Sequence, residues 1–289
     1  MVAAHVCARA FDHVVVAVTA DDLAALAGDL LGHHRLLSSF AGAVVRRGHW
    51  GYVGAGLATT RIQLCGRLAL VVDGRRVDDR LPGRQGRLLL AFLAVNRSRA
   101  VARDEVVEAL WADGHDGGLA PLLSKLRRLV ALDGLRVLAE WIDVETAAAA
   151  VHRAESALAQ GDAHGAWAPS QVAMYVTGRP FLPGEEAPWI EAQRRQLEGL
   201  HVRALEAYAA GTLGIGGTEL VAAVRAGRRL VELEPYRESG YRILIEALDR
   251  EGNCAEALLV YERLRTKLRD DLGISPSEPT QELHRRLLR

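Results

Sequence analysis

The sequence predicts a mostly α-helical chain, a small α+β unit followed by a longer α-helical half, and three observations carry that prediction. Residues 81–130 hold three short apolar patterns at helical spacing, separated by polar breaks. Residues 62–77 (IQLCGRLALVVDGRRV), just ahead of them, are rich in strand formers around an Asp73-Gly74 turn signal. From residue 142 onward helical spacing recurs almost without interruption.

The first helix is expected over 85–95, with Leu88, Leu89, Phe92, Leu93 and Val95 on its apolar side. The second is expected over 103–111, with Val106, Val107, Leu110 and Trp111 in one stripe. Asp104 and Glu105 in its first turn complement the helix dipole. The run DGHDGG at 113–118 reads as a turn, and Pro121 is tolerated in the first turn of a third helix, expected over 119–130. There Leu119, Leu122, Leu123, Leu126, Leu129 and Val130 share one face. Ser124 and Arg128 lie opposite that face, with Lys125 and Arg127 on its flanks.

A helix with one buried and one cationic face suits a DNA major groove, which admits a helix and whose phosphates attract the charge. The same stripe fits a solvated surface helix. Context favours the groove, because strands followed by three helices, the last one basic, are the layout of a winged helix. Arg84, Arg87, Arg97, Arg99 and Arg103 flank the first two helices, either as phosphate contacts or as ordinary surface charge.

These pieces, in this order, resemble the Streptomyces antibiotic regulatory protein (SARP) family of bacterial transcriptional activators. The residues that carry the resemblance are IQLCGRLALVVDGRRV, LPGRQGRLLLAFLAVNRSRAVARDEVVEALW and LLSKLRRLV, with a helical region behind them. It covers roughly 61–289. It implies a winged-helix DNA-binding domain over 61–140 and a helical bacterial transcriptional activator domain over 141–289. It further implies a sequence-specific activator that binds double-stranded DNA at direct repeats, with Ser124, Lys125, Arg127 and Arg128 meeting the duplex. The helical domain would then make homodimer or RNA polymerase contacts. The sequence departs from the family in its wing. Between the third helix and the next helical signal stand only residues 131–141 (ALDGLRVLAEW), room for an Asp133-Gly134 turn and one strand over 135–138. Two strands of the usual length, about 5–6 residues each, do not fit. The expected wing is therefore shortened, which keeps open a second function: a helical-repeat interaction module whose degenerate winged helix no longer binds DNA.

In the helical half, helices are expected over 143–160 and 163–176, the second kinked or broken at Pro169. GRPFLPGEEAP at 178–188 reads as a loop. A long amphipathic helix over 189–208 carries Leu197, Leu200, Val202, Leu205 and Tyr208. GTLGIGGT at 211–218 superficially matches a phosphate-binding loop, but it lacks the lysine and the preceding strand, and reads as a flexible connection. Further helices are expected over 219–234, 236–250, 255–270 and 277–288. Paired helices with small residues at Ala247, Ala255 and Ala257 predict stacked hairpins of the tetratricopeptide kind. The stretch 235–288 is similar to the bacterial transcriptional activator domain of the same family.

At 289 residues, 49% hydrophobic and 25% charged, the chain has the composition of a globular protein of two domains. Its net charge of zero hides a split: 61–140 holds 14 Lys+Arg against 10 Asp+Glu, and 141–289 holds 18 against 22. Cys7, Cys65 and Cys254 have no metal-site spacing and read as free thiols of a reducing, cytoplasmic setting. No apolar run is long enough for a membrane span, and no signal peptide is evident at the start. There is no GxSxG, no HExxH and no distinctive carboxylate pair, so no catalytic, cofactor or metal site is expected and the protein is read as no enzyme. Residues 1–60 include a strand-like run at Val14, a short helical signal after Asp21-Asp22, and an adjacent His33-His34 pair with no third ligand. The family begins near Arg61, so this extension is expected to be either a poorly ordered tail or an over-long translated start. Mass spectrometry of the native protein decides between them, since peptides from before Arg61 exclude a late start.

Overall fold

The computed structural model describes residues 59–111 and 118–289. The expectations for residues 1–58 and for the DGHDGG turn lie outside the described residues, but for Gly118. In chain order come β1 (Thr60–Gln63), β2 (Ala69–Val72), β3 (Arg75–Arg76), α1 (Gly83–Val95), α2 (Arg103–Leu110) and α3 (Leu119–Leu126). Three short strands follow, β4 (Leu132–Asp133), β5 (Arg136–Val137) and β6 (Trp141–Ile142). The helical half is α4 (Asp143–Ala159), α5 (Ala163–Thr177), α6 (Pro188–Ile215), α7 (Leu220–Leu233), α8 (Glu238–Arg250), α9 (Cys254–Leu272) and α10 (Glu278–Leu287).

The strands form a four-stranded sheet of order β3-β2-β1-β6 and a separate β4-β5 hairpin. Val72 pairs with Arg75 across Asp73-Gly74, whose φ angles of 49° and 75° make the tight turn that the dipeptide signals. β6 runs parallel to β1, with Arg61 opposite Trp141 and Ile62 opposite Ile142. The chain thus leaves the sheet after β3, builds the three helices and the hairpin, and returns beside its own first strand. α1 is the pillar of this unit. Its residues Leu88, Leu89, Leu90, Ala91, Phe92, Leu93 and Ala94 are all buried, so from Leu88 on it is enclosed on all sides, and only its first turns expose Arg84 and Arg87.

In the helical half, consecutive helices pack against one another from α4 to α10. Two expectations change here. α5 continues through Pro169 to Thr177 without a break. α6 runs on past 208 to Ile215, through glycines read from the sequence as a flexible loop. A Cβ at Gly214 would stand 2.7 Å from that of Ala163, and one at Gly211 would stand 3.4 Å from the Ala163 carbonyl. These glycines let the start of α5 lie directly on α6. They mark close packing, not a breaker.

The α+β unit and the helical half share one core. It runs from Ile62 and Leu70 through α1 and α3 to Val144, Phe181, Ile190 and Leu197. Loop 178–188 lies along the sheet's far end, where Pro180 accepts from Gly66 N at 2.8 Å and Leu182 N donates to Leu64 O at 3.1 Å. Arg194 of α6 holds that loop by donating to the carbonyls of Phe181, Leu182 and Glu185 at 3.1, 3.0 and 2.9 Å. Trp189 sets its ring edge-on to Phe92 and Phe181, at 5.3 and 6.2 Å, and its indole N–H donates to Ala109 O of α2 at 3.1 Å.

At the centre of this seam is Asp143, the first residue of α4 and fully buried. Its carboxylate accepts from Leu64 N at 2.9 Å, Cys65 N at 2.8 Å and Val144 N at 2.8 Å. Burial pushes its pKa up to about 6, against the opposing pull of the three backbone donors and of Arg179. An acid whose folded pKa lies above its unfolded value of about 3.9 binds more protons when folded, so its contribution to stability falls as pH rises between the two values. Relative to Asp143→Asn, the wild-type chain is expected to lose on the order of 2–3 kcal/mol between pH about 4 and pH about 6, with no further change above. Urea denaturation of both proteins at stepped pH measures this, and parallel pH profiles would show that Asp143 does not titrate in that range.

Candidate nucleic-acid interface

α3 buries Leu119, Leu123 and Leu126, with Leu122 and Leu129 partly covered and Val130 buried behind them. Its opposite side carries Ser124, Lys125, Arg127 and Arg128, all exposed, so the helical half covers none of them. The helix is shorter than its apolar pattern suggests. It ends at Leu126, not at 130, and the next residues wind into a tighter turn in which Arg128 N meets Lys125 O at 3.2 Å and Leu129 N meets Leu126 O at 2.9 Å. Ser124 and Lys125 are therefore on the regular helix, and Arg127 and Arg128 are on its tightened end. The side chains of Lys125 and Arg128 have no hydrogen-bond or ion-pair partner among the described residues. Arg127 has one: its Nη2 donates to the carbonyl of Gly134 at 3.3 Å.

Gly134 is the tip of the β4-β5 hairpin. Leu132 pairs with Val137 and Asp133 with Arg136, leaving Gly134-Leu135 as a two-residue turn. With φ at 61°, Gly134 occupies the first central position, where a tight hairpin turn accepts glycine readily. The single strand expected over 135–138 is thus two strands of two residues each, and the turn falls one residue later than Asp133-Gly134 suggests. Strands this short escape a reading based on average strand length. The hairpin is anchored by Val137, which is buried, with Leu132 and Leu135 partly buried on the same core, while the exposed side chain of Arg136 has no hydrogen-bond or ion-pair partner among the described residues. Arg136 is the functional candidate that the sequence reading missed. The signal was there: a turn glycine followed by an out-then-in alternation.

Most of the arginines flanking the first two helices are engaged within the chain. Arg84 pairs with Glu185 at 2.6 Å, and Arg87 approaches the same carboxylate at 3.8 Å. Arg97 forks onto Glu145 and also donates to Ala139 O. Arg99 pairs with Glu105 and donates to the Asn96 side chain at 2.9 Å. Arg84, Arg87 and Arg97 join the two halves, and Arg99 fastens the turn between α1 and α2 to the start of α2. A groove of about 380 Å³ separates that turn from the hairpin, lined by Arg97, Ser98, Arg99, Val101, Asp133 and Arg136 among others.

Among the described residues no group of three or more His, Cys, Asp or Glu is placed to hold a metal, and no helix is long and apolar enough to cross a membrane. His33 and His34 lie outside the described residues. Cys65 and Cys254 are unpaired, and burial pushes the Cys65 thiol pKa up.

A sheet-bordered three-helix unit with a β-hairpin after the third helix, followed by stacked helical hairpins, defines a winged helix joined to a tetratricopeptide-like domain. Residues 142–288 match the family model described as the Bacterial transcriptional activator domain. The chain belongs to that family, as a regulator of the SARP type. It is similar to Regulatory protein AfsR of Streptomyces coelicolor, with 32% identity over 219 residues, 71% of this chain and 22% of AfsR. It is also similar to Transcriptional regulatory protein EmbR of Mycobacterium tuberculosis, with 29% identity over 252 residues, 78% of this chain and 62% of EmbR. The solved structure of M. tuberculosis EmbR in complex with a low affinity phosphopeptide superposes with a TM-score of 0.68 at 26% identity, covering 80% of this chain and 65% of that one. The chain therefore spans about a fifth of AfsR and under two thirds of EmbR.

The site rests on its buried leucines more than on its polar surface. Leu126→Ala is expected to cost about 2–5 kcal/mol of stability, and Ser124→Ala to stay within about 0.5 kcal/mol. Chemical denaturation of the two variants beside the wild type checks the contrast.

Proposed function

We propose that this regulator is a sequence-specific DNA-binding transcriptional activator that lays α3 in the major groove. The observation that carries the reading is the two-sidedness of α3. Its leucines belong to the core shared by both halves, and its exposed side offers Ser124, Lys125 and Arg128 to the duplex, with Arg127 bonded to the turn of a short hairpin bearing Arg136. Cations held on a rigid, buried scaffold meet phosphates and guanine edges at little entropic cost. The short hairpin serves as the wing. The helical domain, by resemblance, makes the dimer or RNA polymerase contacts, and the setting is the bacterial cytoplasm.

One observation favours the second reading, an interaction module without DNA affinity. Four of the flanking arginines, Arg84, Arg87, Arg97 and Arg99, are already paired with carboxylates, which leaves few free cations for phosphate. Salt dependence separates the two readings, because each phosphate contact contributes about 0.9 to the slope of log affinity against log salt. The experiment maps bound genomic fragments in the native host, then titrates one such duplex by fluorescence anisotropy across a salt series. Wild-type affinity is expected to fall steeply with salt, and Arg128→Ala to weaken specific binding by about 1–3 kcal/mol. A salt-insensitive isotherm that Arg128→Ala leaves unchanged rules out the DNA reading.

A further inference from the structure

We infer that Arg127 is a positioning residue, a brace that ties the hairpin's turn to the end of α3 and fixes the angle between them, and does not itself reach a phosphate or a base. The brace stands on geometry alone; its consequence for the duplex rests on the DNA-binding reading above. Of the three cationic side chains around the end of α3, those of Lys125 and Arg128 have no partner among the described residues, and that of Arg127 donates to the Gly134 carbonyl. Its own backbone is fixed, with its N–H on Leu123 O at 2.9 Å and helical angles of −59° and −20°. The base of the brace is thus rigid, and its far end is the turn tip.

The hairpin needs such a tie. Its ladder is two residue pairs long, Leu132 with Val137 and Asp133 with Arg136, backed by Leu138 N on Ala131 O at 3.0 Å. A two-stranded hairpin is marginally stable by itself in water, and this one is far shorter than usual. Val137 is buried, and Leu132 and Leu135 pack partly against the same core, which seats the hairpin's inner side but gives the Gly134 carbonyl no backbone partner among the described residues. A charged donor on that carbonyl ties the outer side of the turn to α3 and fixes its angle. Arg136 stands across the ladder from Asp133, next to the turn, so the direction of its guanidinium follows the hairpin's angle. Arg127 thereby acts on the duplex through Arg136.

Two measurements test this on the full chain, with unchanged thermal midpoints confirming that the exposed substitutions fold. In the free protein, Arg127→Ala is expected to speed hydrogen exchange of the hairpin amides at 132–137 several-fold and to leave those of α1 unchanged. On a bound promoter duplex, Arg127→Ala and Arg136→Ala are each expected to weaken affinity. The double variant should be no more than about twofold weaker than the weaker single one, because coupled residues give non-additive losses. The salt slope of Arg127→Ala alone should differ little from that of Arg136→Ala. Unchanged exchange in the free protein overturns the brace, and so do affinity losses that multiply in the double variant. If the wild-type chain binds no duplex, the DNA-binding reading falls and the exchange measurement alone decides the brace.

Discussion

A buried carboxylate joins the two halves of this molecule, and much of the architecture follows from where it sits. Asp143 opens α4 and binds the backbone N–H groups of Leu64 and Cys65, just where β1 ends. Those two donors face away from the sheet ladder at that point and need an acceptor, since an unsatisfied buried N–H is costly. Meeting them requires α4 to start against the sheet, and β6, immediately before α4, is thereby drawn into register with β1. The same junction places loop 178–188 along Leu64–Gly66 and Trp189 between Phe92 and Phe181. A winged-helix unit and a helical-repeat domain that look separable in the sequence are in this way parts of one packed body.

That joint also sorts the arginines. Arg84 and Arg87 are drawn toward Glu185 of the clamping loop, and Arg97 toward Glu145 on α4. Lys125, Arg128 and Arg136, on α3 and the hairpin, face solvent and are drawn to no carboxylate among the described residues. Charge counting along the chain gives every arginine equal weight; folding does not. What distinguishes the surface proposed to meet DNA is less its net charge than that the side chains of Lys125, Arg128 and Arg136 form no ion pair among the described residues, even with Asp133 across the ladder from Arg136.

The three helices, the Asp73-Gly74 turn and the stacked hairpins were legible because each depends on local spacing or turn chemistry. Leu119, Leu123 and Leu126 reveal the buried side of α3 without any tertiary knowledge. What escaped depends on contacts distant in sequence. The parallel pairing of β6 with β1 rests on two residues eighty positions from their partners, which no periodicity can show. Gly211 and Gly214 read as a loop because glycine is a poor helix former, and only the nearness of Ala163 explains their presence in α6. The hairpin was underestimated because its strands are shorter than any pattern of alternation can register. For the candidate site, the exposed residues of α3 were readable from helical geometry. The bond from Arg127 to Gly134 was not, since it links a helix end to a turn through space.

α6 carries one more implication. The helix has 28 residues, about 42 Å of unbroken rod at the usual rise. Its first turn is lodged in the winged-helix unit's core through Trp189, and near its last turn Arg250 of α8 donates to Leu213 O at 2.7 Å. A strut of this kind replaces a flexible tether. Whatever grips the distal repeats is held at a set reach from whatever lies against α3, and the local concentration of one relative to the other is governed by geometry instead of by chain statistics. Under the DNA-binding reading proposed above, two such molecules on neighbouring sites would tolerate only particular helical phasings of the sites, where a floppy linker would tolerate many.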